Sequence, residues 1–239
     1  MIPSFYRYDG TEYNYSSSTA LTLNAWSHIA VVRDGSSNFA IFLNGTRVYS
    51  ATVSQTFANI NTNDLYIARF ASGGGGGTPY YPTGYITDCR VIKGSAQYSP
   101  TSTTLTVPTS PLTAITNTSL LCNFTNAGIF DAATMNDLET VGNAQVSTSV
   151  VKYGTGSMYF DGTDDRLTAP AAVNLALGTG DFTVECWINS NDVSGSGQRG
   201  ILQTSDTVGG LKTTYTTGIV LVQGVSSGTG VTGGCTAQI

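Results

Sequence analysis

Three aspartates crowd one short stretch of this chain, Phe160-Asp161-Gly162-Thr163-Asp164-Asp165-Arg166. A hard cation such as calcium seeks several oxygen ligands at loop ends, and this grouping offers them. Asp-Gly and Asp-Asp are also ordinary turn formers, and Arg166 is placed to neutralise one of the charges. Two readings therefore stand, a structural turn or a calcium site at Asp161, Asp164 and Asp165. A second candidate is Tyr80-Tyr81, which follows the five-glycine run Gly73–Gly77. Aromatic faces with one polar end suit the C–H faces of sugars, so Tyr80 and Tyr81 are candidate glycan contacts on a mobile, exposed tip. Tyr6, Tyr8, Tyr13 and Tyr15 form a further set, whose spacing fits a strand face packed in a core or an interface.

Other chemistry is poorly supplied. The chain has three glutamates, Glu12, Glu139 and Glu185, each in a different segment. A glycoside-cleaving pair drawn from one strand needs carboxylates two residues apart, which alternation points into one cleft. That pair is absent; a pair assembled from different strands stays open. The single histidine, His28, cannot supply a His-rich metal site and reads as a packing or hydrogen-bonding residue. There is no Gly-x-Ser-x-Gly elbow, and the glycine run lacks the Lys-Ser/Thr of a phosphate cradle. Cys89, Cys122, Cys186 and Cys235 show no Cys-x-x-Cys spacing. The first three sit in apolar runs as buried thiols, with a disulfide as the alternative.

The elements that must position these residues are strands. Period-two alternation broken by Gly, Asn, Asp and Ser runs nearly throughout. It predicts strands over residues 5–8, 27–33, 38–43, 46–53, 64–69, 84–92, 119–124, 157–160, 166–168, 182–189, 200–204 and 218–223. Asp34-Gly35 and Asn44-Gly45 read as tight hairpin turns that need positive φ. Only a short helix or turn is expected, near 171–177. Between Tyr98 and Thr118, three prolines among Ser and Thr predict an extended connector rather than a core strand. The pattern indicates an all-β antiparallel sandwich.

A chain of 239 residues with 40% hydrophobic content suits one large sandwich or two small domains. Charged residues make up 10%, against about 25% in ordinary soluble domains, so Ser, Thr, Asn and Gly carry the polarity. Exported and particle-borne β proteins share this habit. A net charge of −5 argues against a nucleic-acid partner. The N-terminal residues lack the basic and apolar regions of a signal peptide, and no apolar run approaches a membrane span. The expectation is no membrane insertion, with export by another route, packaging into a particle, or a missing upstream sequence.

Trp26-x-His28-x-Ala30-x-x-Arg33-Asp34-Gly35, with Asn44-Gly45 after it, resembles the core hairpin of laminin-G-like sandwiches in the concanavalin A-like lectin/glucanase superfamily. Further blocks resemble the same modules: Leu120-Leu-Cys-Asn-Phe-Thr125, Lys152-Tyr-Gly-Thr-Gly-Ser-Met-Tyr-Phe-Asp161, Asp181-Phe-Thr-Val-Glu-Cys-Trp187 and Gly84-Tyr-Ile-Thr-Asp-Cys-Arg-Val91. The resemblance implies a concanavalin A-like jelly roll, and many of its modules bind calcium at sandwich loops. Here the blocks stand in rotated order. Residues 1–98 match the second half of a module, 99–118 the connector and 119–239 the first half. Either the halves close one permuted sandwich, within or between chains, or the chain is an out-of-phase piece of a tandem array. A half-sandwich exposes its inner face and open edges, so the halves are expected to meet. The wording around Asn117-Thr-Ser-Leu-Leu-Cys most resembles modules of tailed-phage virion proteins. That implies a non-enzymatic capsid decoration or fibre component on an extracellular particle, whose partners are copies of itself or other virion proteins, with cell-surface glycans as a further contact. The alternative is a lectin or adhesin module of a bacterial surface or secreted protein.

Overall fold

The computed structural model describes residues 2–8, 12–55, 57, 64–70, 80–125, 128–133, 135–191, 199–203 and 218–224. The strands are β1 (Ile2–Tyr8), β2 (Glu12–Ser16), β3 (Trp26–Arg33), β4 (Asn38–Leu43), β5 (Thr46–Thr52), β6 (Leu65–Ile67), β7 (Thr83–Lys93) and β8 (Thr118–Cys122). They continue with β9 (Glu139–Val141), β10 (Gln145–Ser147), β11 (Ser157–Asp161), β12 (Arg166–Ala169), β13 (Phe182–Ser190), β14 (Arg199–Gln203) and β15 (Gly218–Gly224). Val173–Leu175 forms one 3₁₀ turn, inside the span expected for a short helix or turn.

All pairings are antiparallel and build two layers. One sheet runs β2-β1-β15-β14-β6-β12-β9; the other runs β10-β11-β7-β13-β3-β4-β5, with β8 also paired to β7. The fold is an all-β, concanavalin A-like sandwich, as the strand pattern and the resemblance predict. Strands from residues 1–98 and from 119–239 are interleaved in both sheets. In particular β13 lies between β7 and β3, in register from Phe182↔Arg33 to Asn189↔Trp26 on one side. The core between the layers follows from alternation: Ile29, Val31, Phe39, Ile41, Val184, Cys186 and Ile188 of one sheet meet Phe5, Ile67, Leu167 and Leu221 of the other. Phe5 and Phe39 pack with centroids 5.4 Å apart.

Three features depart from the sequence expectations. The strands β2, β9 and β10 were not expected; each is a short edge or near-edge segment whose mixed composition gives little apolar signal. The Asp34-Gly35 turn takes its positive φ at Ser37 (66°), not at Gly35, because Asp34 Oδ1 accepts the Ser36 and Asn38 backbone N–H groups at 3.0 and 2.9 Å and so holds a wider turn. Asn44-Gly45 does form the expected tight turn, with φ of 49° and 83°.

The third departure is the connector. It is extended, but it is packed against the sheet. Its chain crosses the outer face of the eight-stranded sheet, where Ala30, Val32, Ala40 and Phe42 are fully buried beneath Ala96, Tyr98 and Leu105. Backbone bonds fix its course: Arg47 N–H to Thr103 O at 2.9 Å and Leu105 N–H to Gly45 O at 2.8 Å. Leu112 N–H then donates to the buried Asp88 carboxylate at 3.0 Å. Proline keeps this segment out of the ladder without preventing it from covering an apolar face. Cys89, Cys122 and Cys186 are free and buried; Cys235 and the glycine run 73–77 lie outside the described residues.

Candidate functional site

Beneath the connector lies a buried charged cluster. Val184, Cys186 and Ile188 face the main core, so alternation turns Glu185 and Trp187 to the outer face. Pairing then brings Ala30 and His28 of β3 and Arg90 of β7 alongside. Glu185 Oε1 accepts from Arg90 Nε at 2.9 Å and Nη2 at 2.5 Å. Its Oε2 lies 3.2 Å from His28 Nε2 and accepts the Tyr98 hydroxyl at 2.7 Å. Arg90 also donates to Thr113 O at 2.9 Å. Four segments, β13, β3, β7 and the connector, thus converge on one carboxylate that is wholly buried. Burial alone would raise its pKa, yet the His28 hydrogen bond and the charges of Arg90 and His28, with the Tyr98 hydroxyl, hold it below the ordinary carboxylate value. Burial first, and then Glu185, push the Tyr98 hydroxyl upward.

A carboxylate so fully engaged has no lone pair turned to a substrate. Glu139 is exposed on β9 at the edge of the other sheet, and Glu12 lies on β2 at that sheet's opposite edge. The exposed Glu139 and the buried Glu185 lie on different sheets and do not share a cleft. Among the described residues the cysteines are buried thiols: burial, with the nearby charges of Glu185, Asp88 and Asp131, pushes the Cys89 thiol up to about 12. Trp187 completes the outer face, with His28 at 5.2 Å between ring centroids and Lys152 Nζ 4.1 Å above its ring.

The sequence-predicted glycan candidates sit elsewhere. Tyr80 is 37% exposed and Tyr81 half-buried. Tyr80 exchanges backbone bonds with Phe70 at 2.8 and 2.7 Å, and their rings stack at 6.2 Å and 18°. The Arg199 guanidinium lies 5.4 Å from the Tyr80 centroid. Together these brace the Tyr80 ring, stacked on Phe70 and with the Arg199 cation over it, and leave its exposed part as an aromatic surface beside a hydrogen-bond donor. The contributions of Phe70 and Arg199 were not legible in the sequence: Phe70 meets Tyr80 through an isolated bridge outside the strands, and Arg199 comes from β14, far along the chain.

The three aspartates do come together. One carboxylate oxygen of each of Asp161, Asp164 and Asp165 lies within 4.8 Å of the others. Asp165 is buried and accepts Asn143 N–H at 2.7 Å and Asp161 N–H at 2.9 Å. The Asn143 amide nitrogen, turned inward, reaches Asp161 Oδ2 at 3.1 Å and Asp165 Oδ1 at 2.6 Å. Burial, opposed by these backbone donors and reinforced by Asp161 and Asp164, raises the Asp165 pKa. The arrangement clasps the turn after β11 to the turn between β9 and β10. Its oxygens fit the donor set of calcium.

Residues 3–97 match the family model Laminin_G_3, described as the concanavalin A-like lectin/glucanases superfamily. No curated protein and no solved structure matches the chain. The lectin-type fold suggests a carbohydrate- or protein-interaction module.

Proposed function

We propose that the chain is a non-enzymatic structural and interaction module of a virion, a capsid decoration or fibre component, that contacts glycans through Tyr80 and Tyr81. The observation that carries the binding part is the exposed Tyr80 ring, stacked on Phe70 and flanked by Arg199. The non-enzymatic part is supported by Glu185, whose carboxylate is buried and committed to His28, Arg90 and Tyr98. The virion part rests on the 10% charged content and on the resemblance of the 117–125 wording to phage modules. Partners on this reading are further copies of the chain or neighbouring virion proteins.

A glycan array with the full chain, in the presence of calcium, tests the binding part. Tyr80→Ala is expected to abolish the signal and Tyr81→Ala to weaken it; binding untouched by either change removes this site. Probing purified particles for the protein tests the virion part. Finding it only on bacterial surfaces or in culture fluid favours the alternative, a lectin or adhesin module using the same tyrosines.

A further inference from the structure

A second polar cluster occupies the outer face of the seven-stranded sheet, on β6 and β12. Leu65 and Ile67 of β6 and Leu167 and Ala169 of β12 face the core, so Tyr66, Arg166 and Thr168 face away from it. Immediately after β6 the alternation slips. Ala68, at φ 64°, also packs in the core, and Arg69 therefore joins Tyr66 on the outer face. Its guanidinium lies over the Tyr66 ring, 4.3 Å from the centroid. The register Leu167↔Ile67 and Thr168↔Tyr66 carries Arg166 to the position beside this slip. The register thus places two arginines on one face at adjoining backbone positions, with Thr168 opposite Tyr66 and Gln203 paired to Tyr66 from β14.

What marks the cluster is missing compensation. Arg69 is 3% exposed, and its Nη1 is buried with no hydrogen-bond partner; Arg166 Nε is likewise buried without one. Among the described residues neither arginine forms an ion pair, although the chain has 15 acidic residues against 10 Lys and Arg. A buried guanidinium N–H without an acceptor is costly. The stacking of Arg69 on Tyr66 accounts for the ring's contact but supplies no acceptor. Guanidinium groups are the donors best matched to planar and tetrahedral oxyanions, which they grip with paired N–H groups.

We propose that Arg69 and Arg166 form an oxyanion site, taking a carboxylate or sulfate group, with Arg69 as the deep donor and the partly exposed Arg166 as the accessible one. The site goes beyond the Tyr80 reading and stands without it. One chemistry has two sources here, a free inorganic anion or the acid group of a saccharide.

The test titrates the full chain with sodium sulfate against sodium chloride at matched ionic strength, following heat of binding and unfolding midpoint. A hexuronate oligosaccharide and its neutral parent form the second arm. Saturable sulfate binding is expected, weakened at least about tenfold in Arg166→Gln, because one of two converging charges is lost. Arg166→Lys keeps the charge without the fork and should fall between, which also covers poor folding of the glutamine variant. Tighter binding of the hexuronate than of sulfate identifies the saccharide source; equal binding identifies the free anion, and both support the site. General salt stabilisation acts on every variant alike. A sulfate response equal in wild type and both variants, or no saturable response, overturns the proposal.

Discussion

His28 Nε2 lies 3.2 Å from Glu185 Oε2, both side chains fully buried, although 157 positions separate them in sequence. With Arg90 and Tyr98 on the same carboxylate, this contact ties the N-terminal hairpin, the long strand β7, the connector and β13 into one joint. Removing the charge from Glu185 strands the Arg90 guanidinium in a buried site. Glu185→Gln should therefore cost about 3–5 kcal/mol, the usual penalty for breaking one side of a buried pair. Urea unfolding checks this, with the slope unchanged if only stability has moved. A loss below about 1 kcal/mol would mean that Glu185 is solvated in solution.

The same joint sets a pH dependence. The folded-state pKa of Glu185 is lowered, so its contribution is fully present above the ordinary glutamate pKa, about 4.3. It is lost as pH falls through the folded value. Asp88 and Asp165 run the other way. Burial raises both, against the Asn123 and Leu112 donors at Asp88 and the Asp161 and Asn143 donors at Asp165. Each therefore strains the fold when ionised and relieves it when protonated. Stability should fall below pH about 4 in the wild type, and Glu185→Gln should flatten or reverse that limb, because the raised Asp88 and Asp165 then remain without the opposing glutamate. Unfolding midpoints across pH 2.5–6 measure it, and parallel curves for the two proteins would refute the assignment.

How much of this was legible in the sequence follows from where each signal is local. The central strands announced themselves through Val, Ile and Phe alternation, as in Phe39-Ala-Ile-Phe-Leu43, and their bounds fall within a residue or two of expectation. Edge strands such as Gln145–Ser147 need no apolar face and gave no such signal. The aspartate clasp was visible because its three members lie within five residues. The Glu185 joint was not, since its partners at 28, 90 and 98 meet only once β13 takes its place between β3 and β7. Nor could proline content reveal that the connector covers Phe42 and Ala30, because that depends on the sheet's outer face being apolar at those pairs.

That covering makes a prediction at Gly45. The residue sits at φ 83°, and a β-carbon there would come within 2.9 Å of Val107 Cγ2 and 3.0 Å of Leu105 O. Gly45→Ala therefore pays twice, in backbone strain and in lifting the connector off the hairpin. The expected loss is about 1–3 kcal/mol. Limited proteolysis supplies an independent readout: residues 99–113 should resist cleavage in the wild type, despite their loop-like composition, and become cut in the variant. Rapid cleavage of the wild-type connector would show that it is not docked.

A calcium ion entering the aspartate clasp would have to find its oxygens among groups that are already partly engaged. Asp165 already holds two backbone N–H groups, and Asp161 Oδ1 accepts Thr163 N–H at 2.8 Å, so the exposed Asp164 is the open ligand, and Asp161 Oδ2 becomes one only when the Asn143 amide turns away. The Asn143 amide, by turning its oxygen inward, would convert from donor to ligand. Millimolar calcium is expected to raise the unfolding midpoint, by up to about 2.7 kcal/mol of stability at a hundredfold excess over Kd. Asp164→Asn should remove that gain while leaving the calcium-free midpoint nearly unchanged, since Asp164 carries none of the clasp's backbone bonds. Asp165→Asn should instead lower the midpoint without calcium, because one of its two buried acceptor oxygens becomes an amide nitrogen facing an N–H donor. A midpoint indifferent to calcium in the wild type, with the Asp165→Asn penalty intact, would leave the three aspartates as a turn clasp and nothing more.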